Sequence, residues 1–280
     1  MKILAVNPGS TSTKIAVFED LRPLFEAGVE LTDVRRSAFA AVLDQLEMRC
    51  ALISRALSEA GFAEDAFDAV AGRGGLLAPM PSGTYLVNDA MKDYLTEAPR
   101  GEHASNLGAF IAERFAGRSG CRAYIVDPVS VDELSAVARI SGAPEIGRGS
   151  LVHALNQKAM GRKAAAAFGK RYEDCRFVVA HLGTGVTIGA HDRGRIVDVI
   201  GAKADGPFSA ERAGGLPVDA VVDLCYRGKY TLAELRRKLP SGWGIVPYPA
   251  PHAPREVLKP AEGPSHATLV PAACLHPRPK

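Results

Sequence analysis

The chain has 280 residues, 47% of them hydrophobic and 23% charged, with a formal net charge of +3. That length allows one large domain or two ordinary ones around a sizeable core, and so small a net charge gives no electrostatic reason to expect nucleic acid or an anionic membrane as partner. The five cysteines (Cys50, Cys121, Cys175, Cys225 and Cys274) have neither C-x-x-C spacing nor histidine neighbours in a metal-site pattern, so buried free thiols are expected. "MKILAV" leads straight into a strand without a leader's apolar stretch, and no run approaches the roughly 20 apolar residues of a membrane span; a cytoplasmic location is the expectation.

In chain order, short Val/Ile/Ala-rich runs bounded by Gly, Asp or Pro predict strands at 2–6, 14–19, 67–72, 122–126, 176–181 and 186–190. Apolar residues at three- and four-residue steps predict helices at 36–60, 104–117 and 150–168, and another at 217–226 behind Pro217. Strand pairs followed by helices indicate an α/β protein with a mixed sheet. Ten of the nineteen prolines fall in 240–280, which predicts an irregular tail.

The loop inside "ILAVNPGSTSTKIAVFED" (3–20) is too rich for a plain hairpin, which needs two or three turn residues. Ser10, Thr11, Ser12 and Thr13 offer hydroxyls, Gly9 lets the backbone approach a ligand, and Lys14 adds a positive charge. Those features suit a phosphate, although an ordinary Ser/Thr-rich turn would look the same. It is not a Walker loop, because the Gly-Lys-Ser/Thr ending is absent and a strand follows. "AHLGTGVTIGAH" (180–191) repeats the layout, with Gly183, Thr184 and Thr187 opposite Gly9, Ser10 and Thr13. Two similar half-molecules would give this echo, and so would chance, since Gly and Thr are common turn residues.

Six segments, "VNPGSTSTKIAVFE", "DAVAGRGG", "YIVDPVSVDEL", "ARISGAPEIGRGSLVHALNQKA", "VVAHLGTGVTIGAHDRGRIVD" and "GPFSAERAGGLP", together resemble the butyrate kinases of the acetokinase family. The resemblance implies two ribonuclease-H-like α/β domains with ATP and substrate between them. It implies a first domain over 1–150 and a partial second one over 151–239, with the proline-rich 240–280 left as the irregular tail. The implied reaction is ATP + butanoate to ADP + butanoyl phosphate with Mg2+, and dimers or larger homo-oligomers are implied as well. It matches Arg73, in "AGRGG", to a substrate-site arginine, and Arg212, in "SAERAGG", to one facing the transferring group. Asp127 matches a catalytic aspartate, here assigned to positioning a Mg2+-bound water or orienting Arg73. Asn7, Ser10, Ser12 and Lys14 match a first phosphate loop, with Asn7 also beside the metal. His181, Gly183, Thr184 and Gly185 match a second loop. His103 and Asn106 are placed near an acyl pocket. Each also has a bland reading: Arg73 and Arg212 as surface arginines, Asp127 and Asn7 as turn formers, His103 as a helix start, His181 as a structural histidine.

Acetate kinases carry a histidine where this chain has Gln157, which can donate a hydrogen bond but has no charge. The resemblance fades after residue 238: a Gly-rich stretch and an adenosine loop are missing, and Ala250 and Ala253 replace expected residues. An incomplete second domain is therefore expected, and a phosphate-binding remnant without turnover is the alternative function. A sugar kinase or chaperone-type ATPase is a third reading.

Overall fold

A computed structural model describes residues 1–31, 39–183, 185–201, 205–245 and 247. The chain divides into two units, one made of Met1–Glu133 with Gly149–Leu155, the other of Leu134–Arg148 with the chain from Asn156 onward. The segment 134–148, expected in the first domain, groups with the second because Arg148 ties it there. Its guanidinium donates to Asp198, Asp205 and the carbonyls of Ala138 and Val199.

The first unit holds β1 (Lys2–Pro8), β2 (Ser12–Glu19), β3 (Arg22–Glu30), β4 (Ala69–Arg73), β5 (Thr84–Leu86) and β6 (Arg122–Val126) in one sheet, ordered β3-β2-β1-β4-β6-β5. β1 and β2 form an antiparallel hairpin, β1, β4 and β6 run parallel, and β5 returns antiparallel to β6. The expected mixed sheet is present. Its helices are α1 (Leu46–Glu59), α2 (Asp89–Glu97), whose Asn88 cap accepts from Met91 N, and α3 (Leu107–Ser119).

Alternate residues of a strand point to opposite faces. Leu4, Val6, Ile15, Val17 and Val70 therefore share one face, packed against Ile53 and Leu57 of α1 and Leu107, Ile111 and Phe115 of α3. α3 lies close enough to β4 for backbones to touch. A Cβ on Gly72 would strike the Gly108 carbonyl, and one on Gly108 would strike the Arg73 carbonyl. No larger residue fits at either position.

Among the strands and the helices of the first unit, β3, β5, β9 (Arg195–Gly201) and α2 were not anticipated. β3 contains Pro23 and Gly28, a composition that edge strands tolerate. The helix expected over 36–60 begins later: 36–38 lie outside the described residues, 39–42 are irregular, and a 3-10 turn at Leu43–Gln45 precedes α1.

In the second unit β7 (Arg176–His181), β8 (Thr187–Asp192) and β9 form an antiparallel sheet in that order. α4 (Ala154–Ala167) begins in the last two residues of the first unit and continues into the second. α5 (Val218–Tyr226) and α6 (Leu232–Ser241) follow. Pro217 is the residue before α5. α6 carries Pro240 in its last turn, so the tail's irregular part cannot start at 240; residues 248–280, with Ala250 and Ala253, lie outside the described residues. Cys50 and Cys175 are buried as expected, Cys121 is half-buried and Cys225 is exposed, while Cys274 lies outside the described residues. Among the described residues no helix is long and apolar enough to cross a membrane.

Gly108→Ala is expected to lower stability by about 1–3 kcal/mol, because the added methyl must separate α3 from β4. A urea denaturation midpoint would read it, and an unchanged midpoint would refute the backbone contact.

Candidate functional site

In the first unit the face of the sheet away from α1 and α3 carries the chemistry. Asn7 and Lys14 are register partners across β1 and β2, and Arg73 ends the neighbouring strand β4. Their side chains stand side by side over three adjacent strands. Arg73 Nη1 donates to Asn7 Oδ1 at 3.4 Å. All three line a groove of about 590 Å³ whose floor is Ala5, Ala16, Ala71 and Gly28, with Val126 and Leu155 beside them. Small side chains leave the room; the cations and the amide give it polarity. Three outward-facing alanines were readable in the sequence as a cleared floor, but only once the register was known.

The β1–β2 tip is a tight turn in which Gly9 N donates to Ser12 O at 2.7 Å and Leu31 N reaches Thr11 O at 2.8 Å. Ser10 is exposed at the tip and Ser12 opens β2. The hydroxyl-bearing hairpin tip expected from the sequence is thus present.

Asp127 follows β6 directly, one position past Val126, the register partner of Arg73. It is 2% exposed and sits at φ 39°, a left-handed conformation that aspartate tolerates. Its Oδ1 accepts from Ser82 Oγ at 2.5 Å and Gly83 N at 2.9 Å. The carboxylate is therefore gripped by the turn before β5. It is not among the residues lining the groove, and neither are His103 and Asn106. His103 caps the start of α3's leading turn, its Nδ1 accepting from Ser105 N at 3.1 Å. Asn106 is buried with both amide ends in use, Oδ1 accepting from Leu76 N at 3.0 Å and Nδ2 donating to Gly101 O at 3.3 Å. The helix-start reading describes what the His103 side chain does here, whereas the Asn106 side chain ties Leu76 to Gly101 rather than capping α3.

In the second unit the β7–β8 hairpin carries the other loop. His181 Nδ1 contacts Asn156 Oδ1 at 3.1 Å, and a Cβ on Gly183 would lie 3.3 Å from His181 Nε2. Thr184 lies outside the described residues. Gly185 packs directly under the Arg212 guanidinium, leaving no space for a Cβ. The structure thus brings Arg212 to the second loop. Burial pushes Arg212 below its ordinary pKa and Glu211 works against that, but arginine keeps its proton at any working pH. No hydrogen bond or ion pair engages this guanidinium among the described residues, whereas Arg148 holds two carboxylates. Gln157 is fully buried with its amide spent on Thr187 and His191, so it is not a donor poised toward a ligand.

No protein-family model matches the chain. A probable butyrate kinase from Phocaeicola vulgatus is 49% identical over 247 residues, covering 88% of this chain and 69% of that protein. A probable butyrate kinase from Oleidesulfovibrio alaskensis is 52% identical over 239 residues, covering 84% of this chain and 64% of that one, so the chain spans about two thirds of these relatives. The crystal structure of a propionate kinase from Francisella tularensis superposes with a TM-score of 0.71 at 19% identity, over 96% of this chain and 76% of that one. This likeness shows the α/β fold, a mixed sheet flanked by helices.

Gly185→Ala should displace the Arg212 guanidinium and lower stability by about 1–3 kcal/mol, read as a lowered urea midpoint. The arginine Nε–H resonance of Arg212 would report the displacement. Gly183→Ala, which meets only the end of the His181 ring, should leave that resonance in place.

Proposed function

Because the chain belongs to the butyrate kinase family, we propose that it is a short-chain carboxylate kinase. In this reading it passes the γ-phosphoryl group of ATP in line to butanoate, giving ADP and butanoyl phosphate. The observation that carries the reading is Arg212, a half-buried guanidinium stacked on Gly185 of a glycine loop, with no hydrogen-bond acceptor among the described residues. Such a cation suits an anion that arrives as ligand.

The acceptor carboxylate is ionised at neutral pH, so no base is needed to activate it. The barrier lies in bringing two anions together and in stabilising the charge on the passing phosphoryl group. Arg73, over an alanine floor, suits a carboxylate head with a short alkyl tail, and Lys14 beside it would meet a phosphate oxygen. Backbone N–H groups and hydroxyls at Ser10 and Ser12, and the loop from His181 through Gly183, Thr184 and Gly185, would hold phosphate oxygens. Arg212 would face the group in transit. Asp127 is assigned as a positioning residue: held by Ser82 and Gly83, it fixes the end of β6 next to Arg73's strand.

Mg2+ fits this donor set only through water and phosphate, because Asn7 offers a neutral carbonyl oxygen that already accepts from Arg73. Its second lone pair could accept from a metal-bound water. When bound, the ion would neutralise phosphate charge. His103 and Asn106 support the acyl site through the start of α3.

A second reading, a phosphate-binding module without turnover, draws on α5 and α6, which bury no side chain. Incubating the 280-residue chain with ATP, Mg2+ and butanoate and trapping product with hydroxylamine separates the two. Acyl hydroxamate should form, and Arg212→Ala should reduce it about 100- to 1,000-fold. Folded chain that binds ATP yet forms none would favour the module. Asp127→Asn keeps an acceptor for Ser82 and Gly83 and should fold normally with reduced kcat. Asp127→Ala should cost about 1–3 kcal/mol of stability as well.

A further inference from the structure

We propose that Arg49 and Gln157 are positioning residues, each setting one hairpin tip by gripping the threonine behind it. The proposal takes its ligand from the kinase reading; its geometry stands without it.

In the first unit, Thr13 pairs with Pro8 on the last rung before the β1–β2 turn. It is 2% exposed, and its Oγ1 accepts from Arg49 Nη1 of α1 at 2.8 Å. Arg49 is itself only 1% exposed, and its Nε and Nη2 fork onto Gln45 Oε1 at 3.1 and 2.9 Å. A long side chain fixed at both ends of its guanidinium cannot swing, so the rung it holds is fixed too.

In the second unit, Thr187 pairs with His181 on the rung that closes the β7–β8 loop. Gln157 Nε2 of α4 donates to both Thr187 O at 3.0 Å and Thr187 Oγ1 at 3.1 Å, while Asn156 beside it meets His181 at 3.1 Å. Two consecutive helix residues thus hold the two halves of one rung. Because the Gln157 amide donates to Thr187, its Oε1 must accept. His191 Nε2 at 3.1 Å is then the donor, and His191 Nδ1 accepts from Tyr172 OH at 2.5 Å. The chain has a single direction. A Cβ on Gly189 would collide with Gln157 Oε1, so β8 is cleared for this side chain.

The two devices correspond. Each uses a buried helix donor and a buried threonine Oγ1 at the base of a glycine-containing tip. Tip amides aim at a ligand only while the rung beneath them is still.

Thr13→Val and Thr187→Val delete one hydroxyl at nearly constant shape, and Thr13→Ser and Thr187→Ser keep it. In the full chain, amide exchange by NMR should quicken about tenfold at residues 9–12 in Thr13→Val and at 183 and 185–187 in Thr187→Val. The other tip should be unaffected and both serine variants should match wild type. Gln157→Leu, lacking both donors, should quicken 183 and 185–187 further. In the hydroxamate assay the valine variants should raise KM for ATP more than they lower kcat. Unchanged tip exchange, exchange rising equally across a whole sheet, or serine variants that fail to restore protection would overturn the proposal. If wild type forms no acyl phosphate, the kinase reading fails while the exchange measurements still decide the clamp.

Discussion

A slip of one residue between β1 and β2 would bury Lys14 and expose Ile15, and the groove would vanish with the core. Register is therefore the constraint on which the first unit rests. Leu4, Val6, Ile15 and Val17 hold it by burial against α1 and α3. The same alternation puts Asn7, Lys14 and Arg73 on the other face, on neighbouring strands. Core and site are two faces of one pattern, and neither can be moved without the other. The contact at Gly72 and Gly108 completes it, since it seats α3 against the strand that ends in Arg73.

Arginines in this chain do different work according to what meets them. Arg114 pairs with Glu47, holding that carboxyl below its usual range, and Arg148 knots Asp198 and Asp205 to the segment 134–148. Their charge is answered within the fold. Arg212 lies on Gly185, and among the described residues Glu211 acts on it only through its charge, with no hydrogen bond to the guanidinium. Burial raises the cost of leaving such a cation unanswered, and that cost is what an arriving anion would relieve.

Much of the first unit was legible because hydrophobic period and turn chemistry agreed there. "ILAVNPGSTSTKIAVFE" reads as strand, tip and strand, and folds so. β3 was not legible: Pro23, Glu26 and Gly28 look like a loop, and only its place at the sheet edge makes them acceptable. α2 carried a readable Asn88 cap that its short, polar helix obscured. Among site residues, glycine-rich loops and their cations were visible as local patterns. The roles of Asn106 and Gln157 were not, because each depends on partners thirty residues away, at Leu76 and Thr187. Arg49 is the extreme case. It sits in "LEMRCALISRALSE" beside Arg55, which is exposed and paired with Glu59, and nothing local distinguishes the two.

That contrast bears on how the paired tips came to be supported differently. A threonine hydroxyl needs only a donor, and the fold supplies a charged one at Thr13 and a neutral one at Thr187. Near the first tip the guanidinium adds positive charge to that of Lys14 and Arg73, all within one unit. At the second tip the donor carries no charge, and a neutral amide buried against Thr187 avoids the desolvation penalty of a buried cation. A glutamine oriented by His191 and Tyr172 gives the same grip at no electrostatic cost.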